Sequence, residues 1–272
     1  MSDMWESVSE AWASNADFVD GHLAEPTRRM LDLAEIGSGS EVLDLACGPG
    51  GAGMAAASRV GPSGSVVFAD DAPGMVAAAA NRSKALNNVS TLVCSQESIS
   101  VEDETFDAVI IRHGLMFAED KAAAVGEAVR VLRPGHRYAA MTWGPRQENP
   151  WLSLTLDSVA EEFGVPFPPP EVLGPFELDD PDTLKRVLED GGLLDVGVEK
   201  FEAPAAFDSV EAWCDLIPQL AGPLAIALEG MEPEVRDSIR DRALEFGHAA
   251  AEELPDGIRM SGSVLIGYGR RT

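Results

Sequence analysis

The stretch Val42-Leu43-Asp44-Leu45-Ala46-Cys47-Gly48-Pro49-Gly50-Gly51-Ala52-Gly53 constrains this chain more than any other. Its apolar, β-compatible start suits a buried strand, and the glycine-rich break before an alanine-rich segment suits a sharp turn into a helix. A helix N-terminus at such a turn attracts negative charge, so the expected ligand carries a carboxylate or phosphate. Asp44 places a charge inside the apolar run, where an ammonium group nearby would justify it.

Two ligand classes fit this turn. Gly48, Gly50 and Gly53 satisfy the G-x-G-x-x-G spacing of a dinucleotide-binding loop, and Asp70 follows Gly50 by 20 residues at the end of a second apolar run, Ser65 to Ala69. An acid there meets ribose hydroxyls in either class. Asp44 separates the two, because a dinucleotide fold usually keeps that strand apolar. Here the chain resembles the class I S-adenosylmethionine-dependent methyltransferases, whose first motif reads roughly (V/I)LD(L/V)GCGxG, with Ala46 standing for the usual first glycine. Phe106 to Ile111 resembles the family's fourth strand and Arg112 to Phe117 the loop after it. Val131-Leu132-Arg133-Pro134-Gly135 resembles its "VLKPGG" turn, and Asp71-Ala72-Pro73-Gly74-Met75 its opening after strand two. The resemblance covers roughly Val42 to Trp143.

It implies a Rossmann-like, doubly wound, mostly parallel seven-stranded sheet with helical lid insertions and an antiparallel last strand. The cofactor it implies is S-adenosylmethionine, with S-adenosylhomocysteine as product. Carried over by position, Asp44, Ala46, Gly48 and Gly50 form the methionine side, and Asp70 accepts from both ribose hydroxyls, with Asp71 beside it. Met75 is the apolar shelf under adenine. The family's Asp-Ala pair after strand three falls at Ser95-Gln96, which leaves Gln96 for the adenine edge, with Glu97 next to it. Arg112 and His113 follow strand four, at the carboxyl edge where open α/β sheets bind ligands. Arg112 there suits neutralising a carboxylate, and His113 suits a catalytic base, with His22 and His248 as further candidates.

Periodicity gives the layout. Strands are predicted at 41–45, 65–69, 90–94, 107–111 and 137–143, with helices at about 51–59, 74–86 and 119–132, so the sheet is expected to be parallel. A helix at 181–191, a sixth strand near 195–202 and a last one near 259–268 follow. One domain, 1–272, is expected: a helical cap over 1–38, a cofactor-binding core over 39–145, and lid insertions over 146–180 and 206–256. Trp151, Phe163, Phe176, Trp213, Ile217 and Leu220 in those insertions point to an apolar roof sheltering a small organic acceptor.

A net charge of −26 argues against nucleic acid and against an anionic membrane surface as partners. No apolar run reaches the length of a membrane span, and the acidic start is unlike a signal peptide, so a cytoplasmic protein is expected. The 3 cysteines, Cys47, Cys94 and Cys214, form neither a disulfide frame nor a metal site. The leading expectation is therefore methyl transfer to a small, largely apolar acceptor, at the oxygen of a phenol, enol or hydroxyl. Alternatives are carbon methylation of a quinone-like or polyketide acceptor, a nicotinamide-dependent dehydrogenase, and a binder of S-adenosylmethionine that transfers nothing.

Overall fold

The structure is a computed structural model that describes residues 2–272, so Met1 of the expected cap lies outside the described residues. The chain opens with α1 (Ser2–Ser7), α2 (Ser9–Ser14), α3 (Ala16–His22) and α4 (Ala24–Leu33). The alternating core follows as β1 (Glu41–Leu45), α5 (Gly51–Val60), β2 (Ser65–Asp70), α6 (Pro73–Arg82), β3 (Val89–Val93), β4 (Phe106–Arg112), α7 (Lys121–Val131) and β5 (Leu132–Trp143). Beyond it come α8 (Pro150–Phe163), α9 (Pro181–Asp190), β6 (Leu194–Glu202), β7 (Ala205–Phe207) and α10 (Val210–Leu220). The chain closes with α11 (Gly222–Glu229), α12 (Pro233–Ala250), β8 (Glu252–Leu254), β9 (Gly257–Met260) and β10 (Ser263–Arg270).

The main sheet has seven strands in the order β3-β2-β1-β4-β5-β10-β6. β1 pairs in parallel with β2 and β4, β2 with β3, and β4 with β5, whereas β10 runs antiparallel between β5 and β6. This is the doubly wound, mostly parallel sheet with an antiparallel last strand that the sequence predicts. The strands of its centre are apolar on both faces because helices cover both: Val42, Leu43, Leu45, Val109, Ile110 and Ile111 are all fully buried.

Three expectations are corrected. The last strand is not one run over 259–268: β9 belongs to a separate three-stranded sheet, β7-β9-β8, and β10 starts after a break at Gly262. A Cβ at Gly262 would lie 2.1 Å from the Ala203 carbonyl oxygen, so the chain crosses here at a distance that only glycine permits. The lid insertion expected over 146–180, for which no helix bounds are predicted, carries the 14-residue α8, with a proline in its first turn and left-handed Gly164 (φ +67°) at its end. The expected helix at 74–86 stops at Arg82, where the buried Ser83 hydroxyl donates to the Ala79 carbonyl.

Candidate active site

The strand order reverses between β1 and β4, and the carboxyl ends of the central strands open there onto a cavity of about 370 Å3. Neighbouring strands lie about 4.8 Å apart, so the three steps from β2 to β5 carry this cavity across roughly 14 Å. The N-terminal helices and the two insertions close it from above. Trp5, Trp12, Phe18 and His22 come from the former; Trp151, Leu152 and Leu156 come from α8, and Ile217 and Leu220 from α10. The cap is pinned in place by the Trp12 indole, which donates to the Leu220 carbonyl at 3.0 Å, and by the Glu6 carboxylate, which accepts from the Gly74 amide at 2.7 Å.

The glycine turn bends through three left-handed residues, Ala46 (φ +52°), Gly48 (φ +52°) and Gly50 (φ +83°). Gly48 lines the cavity, and a Cβ there would meet nothing within 4 Å, so the backbone is bare where a ligand approaches. Gly50 is corrected: it does not line the cavity but serves as the left-handed N-cap of α5, backed by Phe68 and Ala79. Ala46 holds a conformation that costs a residue with a Cβ about 1 kcal/mol. Its methyl is accommodated by a second glycine, since a Cβ on Gly114 would lie 2.3 Å from the Ala46 Cβ. Gly114→Ala is therefore expected to cost about 1–3 kcal/mol through overpacking. Adding Ala46→Gly should return most of that loss; thermal unfolding of the two single variants and the double variant checks this, and losses that simply add would refute the shared contact.

Asp70, at the end of β2, is 7% exposed and turns toward the cavity. Its carboxyl accepts backbone amides from Gly48 at 2.9 Å and from Ala72 at 3.0 Å, with the Asp71 amide also bonded to it, and a carboxylate has about four acceptor sites in all. Burial pushes its carboxyl up to about 6, against the pull of those amides. Asp71 lines the cavity beside it, with its carboxyl raised by burial. Met75, on α6, is 2% exposed and packs with Val8 and the rings of Trp5 and Trp12. After β3, the Gln96 amide nitrogen donates to the Gly114 carbonyl at 3.2 Å, which commits Oε1 to the acceptor role, buried and without a partner among the described residues. Glu97 also lines the cavity while accepting from the Asp120 amide at 2.8 Å. Cys47 is a buried thiol of the turn, pushed up by that burial.

Three other predicted site residues stand elsewhere or are already engaged. Asp44 is fully buried beneath the turn rather than on the cavity wall, and a Cβ on Gly53 would lie 2.7 Å from its Oδ2. Burial pushes its carboxyl up to about 7, opposed chiefly by the Arg112 guanidinium. Arg112 does reach the cavity, but it donates to Asp20 Oδ1 at 2.7 Å and to Thr27 at 3.2 Å, so its charge is matched from the cap rather than held for a ligand. Asp20 also accepts from Arg82 at 2.7 Å, tying α3, α6 and β4 together. His248 is exposed on α12, 3.8 Å from Glu211, and does not line the cavity. It therefore cannot reach a bound acceptor. Asp20 is the participant the sequence did not reveal, because its partners Arg82 and Arg112 lie 62 and 92 residues further along the chain.

The far end of the cavity is aromatic. The His113 ring stacks on Trp143 at 3.7 Å and 15°, Trp143 meets Trp151 edge-on at 5.0 Å, and His22 meets Trp151 edge-on at 5.2 Å. Trp143 ends β5 and joins the site only in the fold. Trp213 of the second insertion is structural: it is fully buried and its indole donates to the Trp151 carbonyl at 2.6 Å. His113 is left-handed (φ +60°) and its amide donates to the Met141 carbonyl at 2.8 Å, which turns its side chain into the cavity. Both its ring nitrogens are buried without a partner among the described residues, and burial holds the imidazole well below its ordinary range, in the neutral form. His22 is held down to about 4, also by burial.

A family profile described as a methyltransferase domain matches residues 42–135, the span that carries the glycine turn, Asp70, Gln96 and His113. Residues 42–135 thus carry a methyltransferase domain, in keeping with the class I S-adenosylmethionine-dependent methyltransferases that the sequence resembles. Among relatives of this chain, the ubiquinone/menaquinone biosynthesis C-methyltransferase UbiE of Hydrogenovibrio crunogenus is 39% identical over 138 residues, 48% of this chain and 54% of that protein. The aklanonic acid methyltransferase DauC of Streptomyces sp. strain C5 is 33% identical over 114 residues, 41% of this chain and 52% of that protein. The chain thus spans only about half the length of these two relatives, with 54% and 52% covered. Among solved structures, YcgJ of Bacillus subtilis shares the fold with a TM-score of 0.59 at 18% identity, covering 92% of this chain and 99% of that one. The matched domain supports methyl transfer over the nicotinamide-dehydrogenase alternative.

Proposed function

We propose that this methyltransferase carries a methyl group from S-adenosylmethionine to a small, largely apolar organic acceptor. The observation that carries the reading is the cavity itself, with Asp70, Asp71 and Gln96 toward its β2 end and the rings of His113, Trp143 and Trp151 at its β5 end. The residues fit the cofactor: Gly48 leaves a bare backbone, Asp70 turns a carboxyl toward the cavity, and Gln96 Oε1 is a buried acceptor without a partner among the described residues. Bound there, the cofactor supplies an electrophilic methyl on a sulfonium. In this reading Ala46 and Gly48 border the methionine end, Asp70 holds the ribose hydroxyls, and Gln96 and Met75 border adenine. Asp44 lies beneath as a buried carboxyl raised to about 7, which the Arg112 guanidinium draws toward its ionised form. The roof excludes water, and orientation alone accounts for about 7–11 kcal/mol of barrier lowering in favourable cases.

Carbon methylation is the better-supported form. UbiE is by name a C-methyltransferase of quinone biosynthesis, and the relatives lend no comparable support to the oxygen preference read from the sequence. Calorimetry is expected to detect binding of both S-adenosylmethionine and S-adenosylhomocysteine; a folded protein that binds neither overturns the reading. Turnover with a panel of phenols, quinols and hydroxylated polyketides separates a transferase from a mere binder, because tight binding without product from any acceptor favours the latter.

The pH dependence follows from Asp70. Its carboxyl is raised to about 6, and ribose hydroxyls donate best to the ionised form, so binding favours proton release. Affinity for S-adenosylhomocysteine is expected to fall as pH drops through about 6, by up to about tenfold per pH unit below it. Calorimetry between pH 5 and pH 8 measures this, and a flat profile speaks against Asp70 as the ribose ligand.

A further inference from the structure

The tautomer of His22 is set by the fold. Its Nδ1 lies 3.2 Å from the Pro204 carbonyl oxygen. A carbonyl only accepts, so Nδ1 carries the proton and Nε2 bears a lone pair. That Nε2 is buried and has no partner among the described residues, while the ring lines the cavity between Phe18 and Trp151. An unmatched buried acceptor is costly, and a hydroxyl donated by a ligand removes the cost. His113 does not permit the same deduction, because no contact among the described residues fixes which of its nitrogens holds the proton.

We propose that His22, carried by the N-terminal cap, accepts the hydroxyl hydrogen of the methyl acceptor through Nε2, and that the acceptor is a flat hydroxylated aromatic ring. The ring's share of this rests on the walls: Phe18, Trp143, Trp151 and the His113–Trp143 stack offer faces and edges to a planar π-system. The proposal builds on the methyl-transfer reading. As transfer proceeds, an electron pair of the ring, at the carbon ortho to the hydroxyl, forms the bond to the methyl carbon. The S–CH3 bond breaks and its pair stays on sulfur. The hydroxyl proton passes to Nε2 as the oxygen becomes a carbonyl; the proton on the methylated carbon then leaves to solvent, and Nε2 returns its proton to the oxygen, restoring the hydroxyl, the aromatic ring and the neutral imidazole. Attack by the oxygen itself uses the same proton transfer and ends at an aryl methyl ether. In either case the hydroxyl grows far more acidic as the new bond forms, so a neutral imidazole of low basicity suffices. The positive charge lost from sulfur reappears on the imidazolium, and the enclosed site keeps the same net charge.

Binding tests this without turnover, since Trp143 and Trp151 report on the cavity by fluorescence. The full chain loaded with S-adenosylhomocysteine is titrated with 1-naphthol and with 1-methoxynaphthalene, which has the same ring and no donor. Wild type is expected to prefer 1-naphthol about tenfold, the worth of one hydrogen bond to a buried acceptor. His22→Ala should abolish the preference, and His22→Gln should keep part of it, because a glutamine amide can bond to Pro204 and still present an oxygen. Failure of wild type to bind 1-naphthol, absence of a preference, or a preference that survives His22→Ala each overturns the proposal. Calorimetry of S-adenosylhomocysteine on the same samples reads the methyl-transfer assignment separately: its failure removes the cofactor, whereas loss of the naphthol preference alone removes only the role of His22.

Discussion

A chain carrying Gly53→Ala is expected to unfold roughly 6–12 °C below wild type, a loss of about 3 kcal/mol. Helix propensity argues the other way, since alanine is favoured over glycine inside a helix by about 1 kcal/mol, and Gly53 sits within α5. The surroundings decide the sign. A Cβ at Gly53 would lie 2.2 Å and 2.6 Å from the Phe68 ring and 2.7 Å from Asp44 Oδ2. Phe68 and Asp44 are both fully buried, so neither has room to retreat. Gly126, inside α7, is the control: a Cβ there meets only one atom, at 4.0 Å, and Gly126→Ala should stabilise by about 0.5–1 kcal/mol. Thermal or denaturant unfolding of both variants checks the pair, and a stabilised Gly53→Ala would contradict the packing described.

The second large effect falls on Asp70. Asp70→Ala removes the acceptor of the Gly48 and Ala72 amides and the proposed partner of the ribose hydroxyls together. Affinity for S-adenosylhomocysteine is expected to fall at least about a hundredfold, since hydrogen bonds to a charged group contribute about 1.5–3 kcal/mol each and a factor of ten is about 1.4 kcal/mol. Stability should also fall by about 1–3 kcal/mol, because two amides beneath a ligand site lose their acceptor. Asp70→Asn retains one carbonyl oxygen and should lie between. Calorimetry separates the two losses: a variant that unfolds earlier yet binds S-adenosylhomocysteine as wild type does would leave Asp70 a purely structural residue of the turn.

The parts legible in the sequence were those with local causes. Apolar runs closed by glycine, proline or acid became β1, β2 and β4 within a residue of the expected bounds, because a strand buried on both faces must be continuously apolar. Asp70 followed from its place at the end of such a run. Asp44 was legible as an unusual charge, but its position behind the turn was not, because facing the cavity or the helix depends on where α5 packs. The single reading of 259–268 failed because β-compatible residues on both sides of Gly262 mask a crossing that depends on Ala203, about sixty residues away in the chain. His248 resembled His22 in the sequence, a lone histidine in a helical segment.

The sequence by itself determined the alternating sheet, the glycine turn and the acid at the end of the second strand. Each of these is specified by neighbours a few residues apart, through periodicity and backbone freedom. The tertiary structure alone decided that Arg112 is matched by Asp20, that Ala46 fits against Gly114, and that the Pro204 carbonyl selects the tautomer of His22. Those are contacts between residues 68 to 182 positions apart, Ala46–Gly114 being the nearest pair and His22–Pro204 the farthest, and no local preference encodes them. They arise when the cap and the insertions fold over the carboxyl ends of the strands and dry buried polar atoms select their partners.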